Sequence, residues 1–395
     1  MNRVLVVGLA RSGRAAQAAL ESRGTAVVAA DRTLGNDTDL DLLEGVDLVV
    51  KSPGVPGEAP LVAAARERRI PVWSEIELAA RLLPNPLVGV TGTNGKTTTT
   101  ELLGAMLGAR TAGNVGTALS ELVGEVDPAA WIVCELSSFQ LEDIDELQPR
   151  IAVLLNLEPD HLDRHGTFER YRDAKLRIFE NQTEADVAVV PRGFGPVPGA
   201  GRRVEFSAHD ALPAEPLIPG AHNRENAAAA AAAARAAGLG DDEIAAALRI
   251  FPGVPHRLEL VAEIGGVRFV NDSKATNTAA ARRALTAYDA PLHVILGGSL
   301  KGERFHEFAE DIAQANVIGI YLIGEAADSL AHALGDTGHP FILAETLERA
   351  VEEAADVAGE GDVVLLSPAC ASYDQFRDFE HRGEEFRRLV ENLKG

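Results

Sequence analysis

Gly89-Val90-Thr91-Gly92-Thr93-Asn94-Gly95-Lys96-Thr97 follows the apolar pair Leu87-Val88, and this stretch decides the fold. An apolar strand that breaks into a glycine-rich turn ending in Lys-Thr is built to receive phosphate. Backbone N–H groups approach the oxygens, a helix N-terminus faces them, and the turn supplies an ammonium and a metal-binding hydroxyl. The ligand this predicts is a nucleoside triphosphate. The general P-loop spacing asks for a glycine where Val90 stands, so the loop is the tighter Gly92-x-x-Gly95-Lys96-Thr97 form.

Outward from this turn, short apolar runs, turn residues and helical patterns alternate along the whole chain, as parallel sheets covered by helices require. The fold class is α/β. Val4 to Val7, Ala26 to Ala30 and Leu48 to Val50 form a first group of strands, closed by Leu83-Pro84-Asn85-Pro86. Leu87 to Val90, Trp131 to Leu136, Ile151 to Leu157 and Val187 to Val190 form a second group. After Phe251-Pro252-Gly253-Val254-Pro255 come Val267 to Val270, His293 to Leu296, Ile318 to Ile323, Phe341 to Leu343 and Val363 to Leu366. Between Pro191 and Pro219 proline and glycine are dense and few strands are expected, whereas Ala227 to Ala237 is a helix by propensity.

At 395 residues the chain exceeds one hydrophobic core, so two or three domains are expected. A net charge of −22 leaves no basic stripe for nucleic acid. No apolar run is long enough to span a bilayer, and the N-terminus runs directly into a strand without an apolar leader, so a cytoplasmic chain without a membrane partner is expected. Cys134 and Cys370 are too few for a disulfide framework and read as buried thiols.

Further motifs stand at predicted strand ends, where open sheets bind ligands. Gly8-Leu9-Ala10-Arg11-Ser12-Gly13 and the later Asp31 resemble a dinucleotide fingerprint, but Ala10 replaces the glycine that meets a pyrophosphate. A nucleotide-sugar diphosphate and an ordinary tight turn both remain open. Glu135, ending an apolar strand, suits Mg²⁺ if it shares a sheet with Lys96 and Thr97; otherwise it is a solvated carboxylate. His161, in Asp160-His161-Leu162-Asp163, is either a metal ligand or a hydrogen-bonding loop histidine. Lys175, on residue physics alone, reads as a solvated helix lysine. Arg257, Asp272 and Lys274 could close over phosphates and ribose, or be an N-cap and an ordinary salt bridge.

Taken in order, Thr91 to Thr97, Gly113-Asn114-Val115-Gly116, Glu135 to Leu141, Asp160 to Arg164, His222 to Asn226, Pro255-His256-Arg257, Asn271 to Asn277 and Ser367 to Phe379 resemble the Mur ligase family across nearly the whole chain. The resemblance implies a three-domain architecture: a Rossmann-like UDP-sugar domain at 1–80, a central P-loop ATP domain at 81–253, and a Rossmann-like amino-acid domain at 254–395. It implies an ATP-dependent amide ligase that adds D-glutamate to UDP-N-acetylmuramoyl-L-alanine through an acyl phosphate, acting as a monomer in peptidoglycan precursor synthesis. Gly92, Thr93, Asn94, Gly95, Lys96, Thr97, Thr98, Asn226, Arg257 and Asp272 would then contact ATP. Thr97 and Glu135 would hold one Mg²⁺, and His161 with an N-carbamoylated Lys175 a second, making Lys96, His161 and Lys175 the catalytic residues.

Ser12, Asp31, Arg32, Ser52 and Asn114 map onto the UDP-sugar, and Lys274, Thr276, Lys301, Ser372 and Phe379 onto D-glutamate. Departures from the family are Ala10, the variable positions Arg11, Arg32 and Tyr373, and a short Pro191 to Pro219 segment expected to lack strands of the central domain. A sister ligase or a folylpolyglutamate synthetase would share the ATP residues. An NAD-linked oxidoreductase on the N-terminal turn and a non-catalytic nucleotide switch are the readings from other classes.

Overall fold

A computed structural model describes residues 2–218, 220–300, 305–335 and 337–394. Three sheets follow one another along the chain. The first joins β1 (Arg3–Val7), β2 (Ala26–Ala30), β3 (Leu48–Lys51) and β4 (Val72–Ser74) in the order β2-β1-β3-β4, all parallel. The second joins β5 (Leu87–Thr91), β6 (Arg110–Gly113), β7 (Ile132–Glu135), β8 (Ile151–Leu154), β9 (Val187–Pro191) and β10 (Arg202–Phe206) in the order β10-β9-β8-β5-β7-β6, again all parallel. Every residue of β5 is buried, as a central strand covered on both faces demands. That places the phosphate loop in the middle of a sheet edge.

The third sheet contains β11 (Glu259–Ile264), β12 (Val267–Asn271), β13 (Leu292–Gly297), β14 (Val317–Ile323), β15 (Ile342–Glu345) and β16 (Val363–Leu366), ordered β11-β12-β16-β13-β14-β15. Only β11 runs antiparallel, paired to β12 through a hairpin at Gly265-Gly266 whose φ values of 59° and 79° fit the twist of a two-residue turn.

Several expectations are corrected. Residues 191–219 do carry a strand of the second sheet, its edge strand β10, which the sequence hid because its Arg202-Arg203-Val204-Glu205 run carries the charges that suit an edge. The expected strand to Leu157 stops at Leu154, because Asn156 turns back beneath the phosphate loop. The alanine-rich helix starts earlier than expected and spans Ala221–Ala236. Cys134 and Cys370 are buried thiols outside any disulfide, as read.

By contacts the chain divides into two compact units, Met1–Glu215 with Arg224–Arg249, and Pro216–Asn223 with Ile250–Gly395. Buried polar ties unite the first two sheets within the former. Glu77, fully buried, accepts the backbone N–H groups of Asp145, Glu146 and Leu147 at 2.9–3.0 Å and pairs with Arg81. Lys51, also fully buried, forms an ion pair with Asp143 at 2.9 Å and donates to the Val55 carbonyl oxygen at 3.1 Å. Asp143→Ala leaves that ammonium without its counter-charge, and the expected loss is about 3 kcal/mol in a denaturant titration. A wild-type midpoint would contradict this account of the tie.

Candidate functional site

The phosphate loop is held from beneath by the chain leaving β8. Thr93 N–H donates to the Asn156 carbonyl oxygen and Asn94 N–H to Asn156 Oδ1, both at 2.9 Å, while Thr93 Oγ1 meets Tyr171 Oη at 2.9 Å. The helix Lys96–Leu107 then begins at Gly95. Gly95 has φ of 80°, and a Cβ there would lie 2.1 Å from Asn226 Oδ1, so only glycine fits and Asn226 sits against the turn. The first N–H groups of this helix lack intrahelical acceptors and face an incoming anion. Lys96 Nζ donates to the carbonyl oxygens of Gly92 and Thr93, each at 2.9 Å, which folds the ammonium over the loop.

Glu135 ends the neighbouring strand β7 and is 2 % exposed, which removes the solvated reading. Its Oε1 accepts from Asn114 Nδ2 at 2.9 Å, and Asn114 N–H bonds the Glu135 carbonyl oxygen. Gly113 makes this approach possible, since with φ of 114° any Cβ would meet the Glu135 carbonyl oxygen at 2.1 Å.

Lys175 overturns the solvated-helix reading. It is 2 % exposed and donates to the Gly92 carbonyl oxygen at 2.8 Å, the same oxygen that Lys96 uses. Burial pushes its pKa down to about 7, the Lys96 ammonium pushes the same way, and the Asp160 and Glu135 carboxylates act against both. A surface pattern could not reveal this, because the burial is made by Tyr171 and the loop. His161 precedes the short helix Leu162–His165 in the left-handed region at φ of 51°, half exposed, with its ring 4.8 Å from that of Phe139 and 3.5 Å from Asp160 Oδ2. Among the described residues no three His, Cys, Asp or Glu side chains gather as a metal cluster.

A cavity of about 350 Å³ is lined by Ser12, Asp31, Ser52 and Asn114 together with Arg11 and Gln140. Four of the five residues expected for a sugar nucleotide therefore meet. Arg32 does not join them: its side chain is 87 % exposed and faces Asp37. Asp31 accepts from Leu9 N–H at 2.6 Å and from Thr33, and these bonds hold its pKa down to about 2. Gln140 was missed. Its Oε1 caps Ser137 at 2.9 Å, leaving Nε2 buried and without a partner. The Ser137-x-x-Gln140 capping box is the sequence signal that fixes this orientation.

In the second unit, Asp272 is buried and accepts from Ser367 Oγ at 2.8 Å and Leu258 N–H at 3.2 Å. Desolvation raises its pKa to about 7 against the pull of Arg257, whose Nε is buried without a hydrogen-bond partner. Ser273 Oγ donates to the Phe379 carbonyl oxygen at 2.8 Å, and Lys274 Nζ lies 5.8 Å from the Phe379 ring centre. Thr276 N–H bonds the Lys274 carbonyl oxygen, and Ser372 is buried in the loop after β16. Asn277 caps the helix Thr278–Leu285, so the N-cap reading belongs to that residue. Lys301 lies outside the described residues.

Residues 90–193 match the family model described as Mur ligase middle domain, and residues 256–370 that described as Mur ligase, glutamate ligase domain. The chain belongs to the Mur ligase family. It is 41 % identical over 443 positions to the UDP-N-acetylmuramoylalanine–D-glutamate ligase of Acidobacterium capsulatum, covering 98 % of this chain and 96 % of that one. The protein of the same name from Desulfitobacterium hafniense is 42 % identical, with 98 % and 97 % covered. Among solved structures, the MurF ligase of Thermotoga maritima in complex with ADP superposes with a TM-score of 0.62 at 20 % identity, over 91 % of this chain and 92 % of that one. The UDP-N-acetylmuramate-alanine ligase MurC of the same organism gives 0.58 at 22 % identity, over 100 % and 99 %. These two likenesses concern the fold.

Proposed function

We propose that this chain is an ATP-dependent amide ligase that joins D-glutamate to UDP-N-acetylmuramoyl-L-alanine, acting as a monomer in cytoplasmic peptidoglycan precursor synthesis. The observation that carries the reading is the convergence of Lys96, Lys175 and a helix N-terminus on the loop Gly92–Thr97, with Glu135 at the neighbouring strand end, in a chain whose full-length relatives are named for that reaction. Residues 1–80 would bind the sugar nucleotide, 81–253 ATP and 254–395 the amino acid.

The donor chemistry fits Mg²⁺. The Thr97 hydroxyl and the buried Glu135 carboxylate are hard oxygen ligands and would hold one ion; His161 and Lys175, converted to an N-carbamate, would hold a second. Bound there, such ions would neutralise charge on the γ-phosphoryl group. Carbamoylation needs a neutral amine, and the lowered pKa of Lys175 supplies one near neutral pH.

Lys96 would leave the Gly92 and Thr93 carbonyls to meet the β- and γ-phosphates, while the helix N-terminus takes the remaining charge. The muramoyl-alanine carboxylate oxygen attacks the γ-phosphorus as ADP leaves. The D-glutamate amine then attacks the acyl carbon, loses a proton, and phosphate departs with the original carboxylate oxygen. Carboxylate labelled with ¹⁸O must therefore deliver one label to each phosphate released. Unlabelled phosphate would contradict the acyl-phosphate route.

Lys175 also carries a pH signature. Its folded pKa lies below the unfolded value of 10.5, so between about 7 and 10.5 the unfolded chain binds the extra proton and stability rises with pH. In CO₂-free buffer wild type is expected to gain on the order of 5 kcal/mol relative to Lys175→Met across that window. Parallel stability curves for the two proteins would count against the buried amine.

A further inference from the structure

We infer that Arg164 is a positioning residue that ties the wall of the sugar-nucleotide cavity to the segment carrying His161; the inference rests on the ligase reading for the identity of the ligand. Ser52, Pro53, Gly54 and Val55 form one wall of the cavity and follow β3 of the first sheet. His161 caps the short helix Leu162–His165 that follows β8 of the second sheet, and Arg164 lies within it. Arg164 reaches between them. Its Nη1 donates to the Pro53 carbonyl oxygen at 2.9 Å and its Nη2 to that of Val55 at 3.5 Å.

The rest of the guanidinium is also in use. Nη2 pairs with Glu142 Oε2 at 2.7 Å, and Cζ lies 4.1 Å from the centre of the Phe139 ring. That same ring packs against His161 at 4.8 Å. Glu142 holds His165 as well, Nδ1 to Oε1 at 3.4 Å, while His165 Nε2 meets Ser138 Oγ at 3.0 Å. One planar fork thus fixes two wall carbonyls, a carboxylate and the ring that sets where the His161 imidazole stands. A lysine offers a single point charge and cannot serve all four.

The consequence is that the acceptor carboxylate and His161 keep a set separation, because the wall that receives the sugar and the segment that carries the imidazole share one clamp. Small misplacements of reacting groups cost rate steeply. Glu142→Gln, which leaves Arg164 present but removes its counter-charge, should move the same quantities in the same direction by less.

The test measures UDP-N-acetylmuramoyl-L-alanine and ADP binding by calorimetry, steady-state kinetics and thermal midpoint for wild type, Arg164→Ala, Arg164→Lys and Glu142→Gln. For Arg164→Ala the expected result is an acceptor KM raised and a kcat lowered by about tenfold each, as loss of charge-assisted hydrogen bonds implies. ADP affinity and the midpoint stay at wild-type values, added guanidinium ion restores part of kcat, and Arg164→Lys does not. Unchanged KM and kcat overturn the inference. So does a loss shared by ADP affinity and midpoint, which would make Arg164 a general support of the fold. If wild type binds ADP but not the sugar nucleotide, the ligase reading falls and the inference falls with its ligand.

Discussion

Lys96→Ala is expected to reduce ATP-dependent phosphate release by about 10²–10³-fold or more, the scale on which a single group facing developing transition-state charge acts. The reason is local. The Lys96 ammonium rests on the Gly92 and Thr93 carbonyl oxygens, so its charge is already at the mouth of the loop. The side chain is only partly buried and belongs to none of the hydrophobic clusters, so its removal should leave the thermal midpoint close to wild type. Stopped turnover with an intact fold is the expected pattern. Normal phosphate release from the variant would remove the loop from the mechanism.

The second large effect is on the other unit. Arg382 is fully buried, yet among the described residues no carboxylate pairs with it; it donates instead to the carbonyl oxygens of Ser273, Cys370 and Ala371 at 2.9–3.2 Å and to Ser273 Oγ at 3.0 Å. Those acceptors lie in the loops after β12 and β16, which carry Lys274 and Ser372. Burial lowers the Arg382 pKa to about 10, so the group stays a cation at neutral pH. Arg382→Ala strands several buried carbonyls, and the expected cost is about 4 kcal/mol with the amino-acid KM rising in step. Arg382→Lys, which keeps charge but not the fork, should fall between. A denaturation midpoint for Arg382→Ala equal to wild type would contradict this role.

How legible all this was in the sequence depended on whether a residue's task is local. The phosphate loop was readable because Gly95 must turn the chain with a positive φ, here 80°, and Lys96 must follow it directly. Glu135 was readable only in company, since a strand-end carboxylate acquires meaning from the neighbouring strand β5. Lys175 and Arg382 were opaque as residues: each sits on a charged helix, and each is buried against a partner brought from far away in sequence, Gly92 for Lys175 and Ser273 for Arg382. Family resemblance singled out Lys175, and nothing singled out Arg382. The strand β10 escaped for the opposite reason, its charges resembling a loop while its backbone pairs with β9. Asp31 lines the cavity, but its carboxylate serves Leu9 and Thr33 within the turn, a use that spacing alone does not disclose.

The central claim is the identity of the amino acid joined to the sugar nucleotide. Phosphate release should be measured with Mg²⁺, ATP and UDP-N-acetylmuramoyl-L-alanine, adding in turn D-glutamate, L-glutamate, D-aspartate, L-lysine, meso-diaminopimelate or nothing. Release that depends on D-glutamate alone is the predicted result. Release with a different amino acid would contradict the assigned specificity, and release indifferent to any amino acid would contradict the ligase itself.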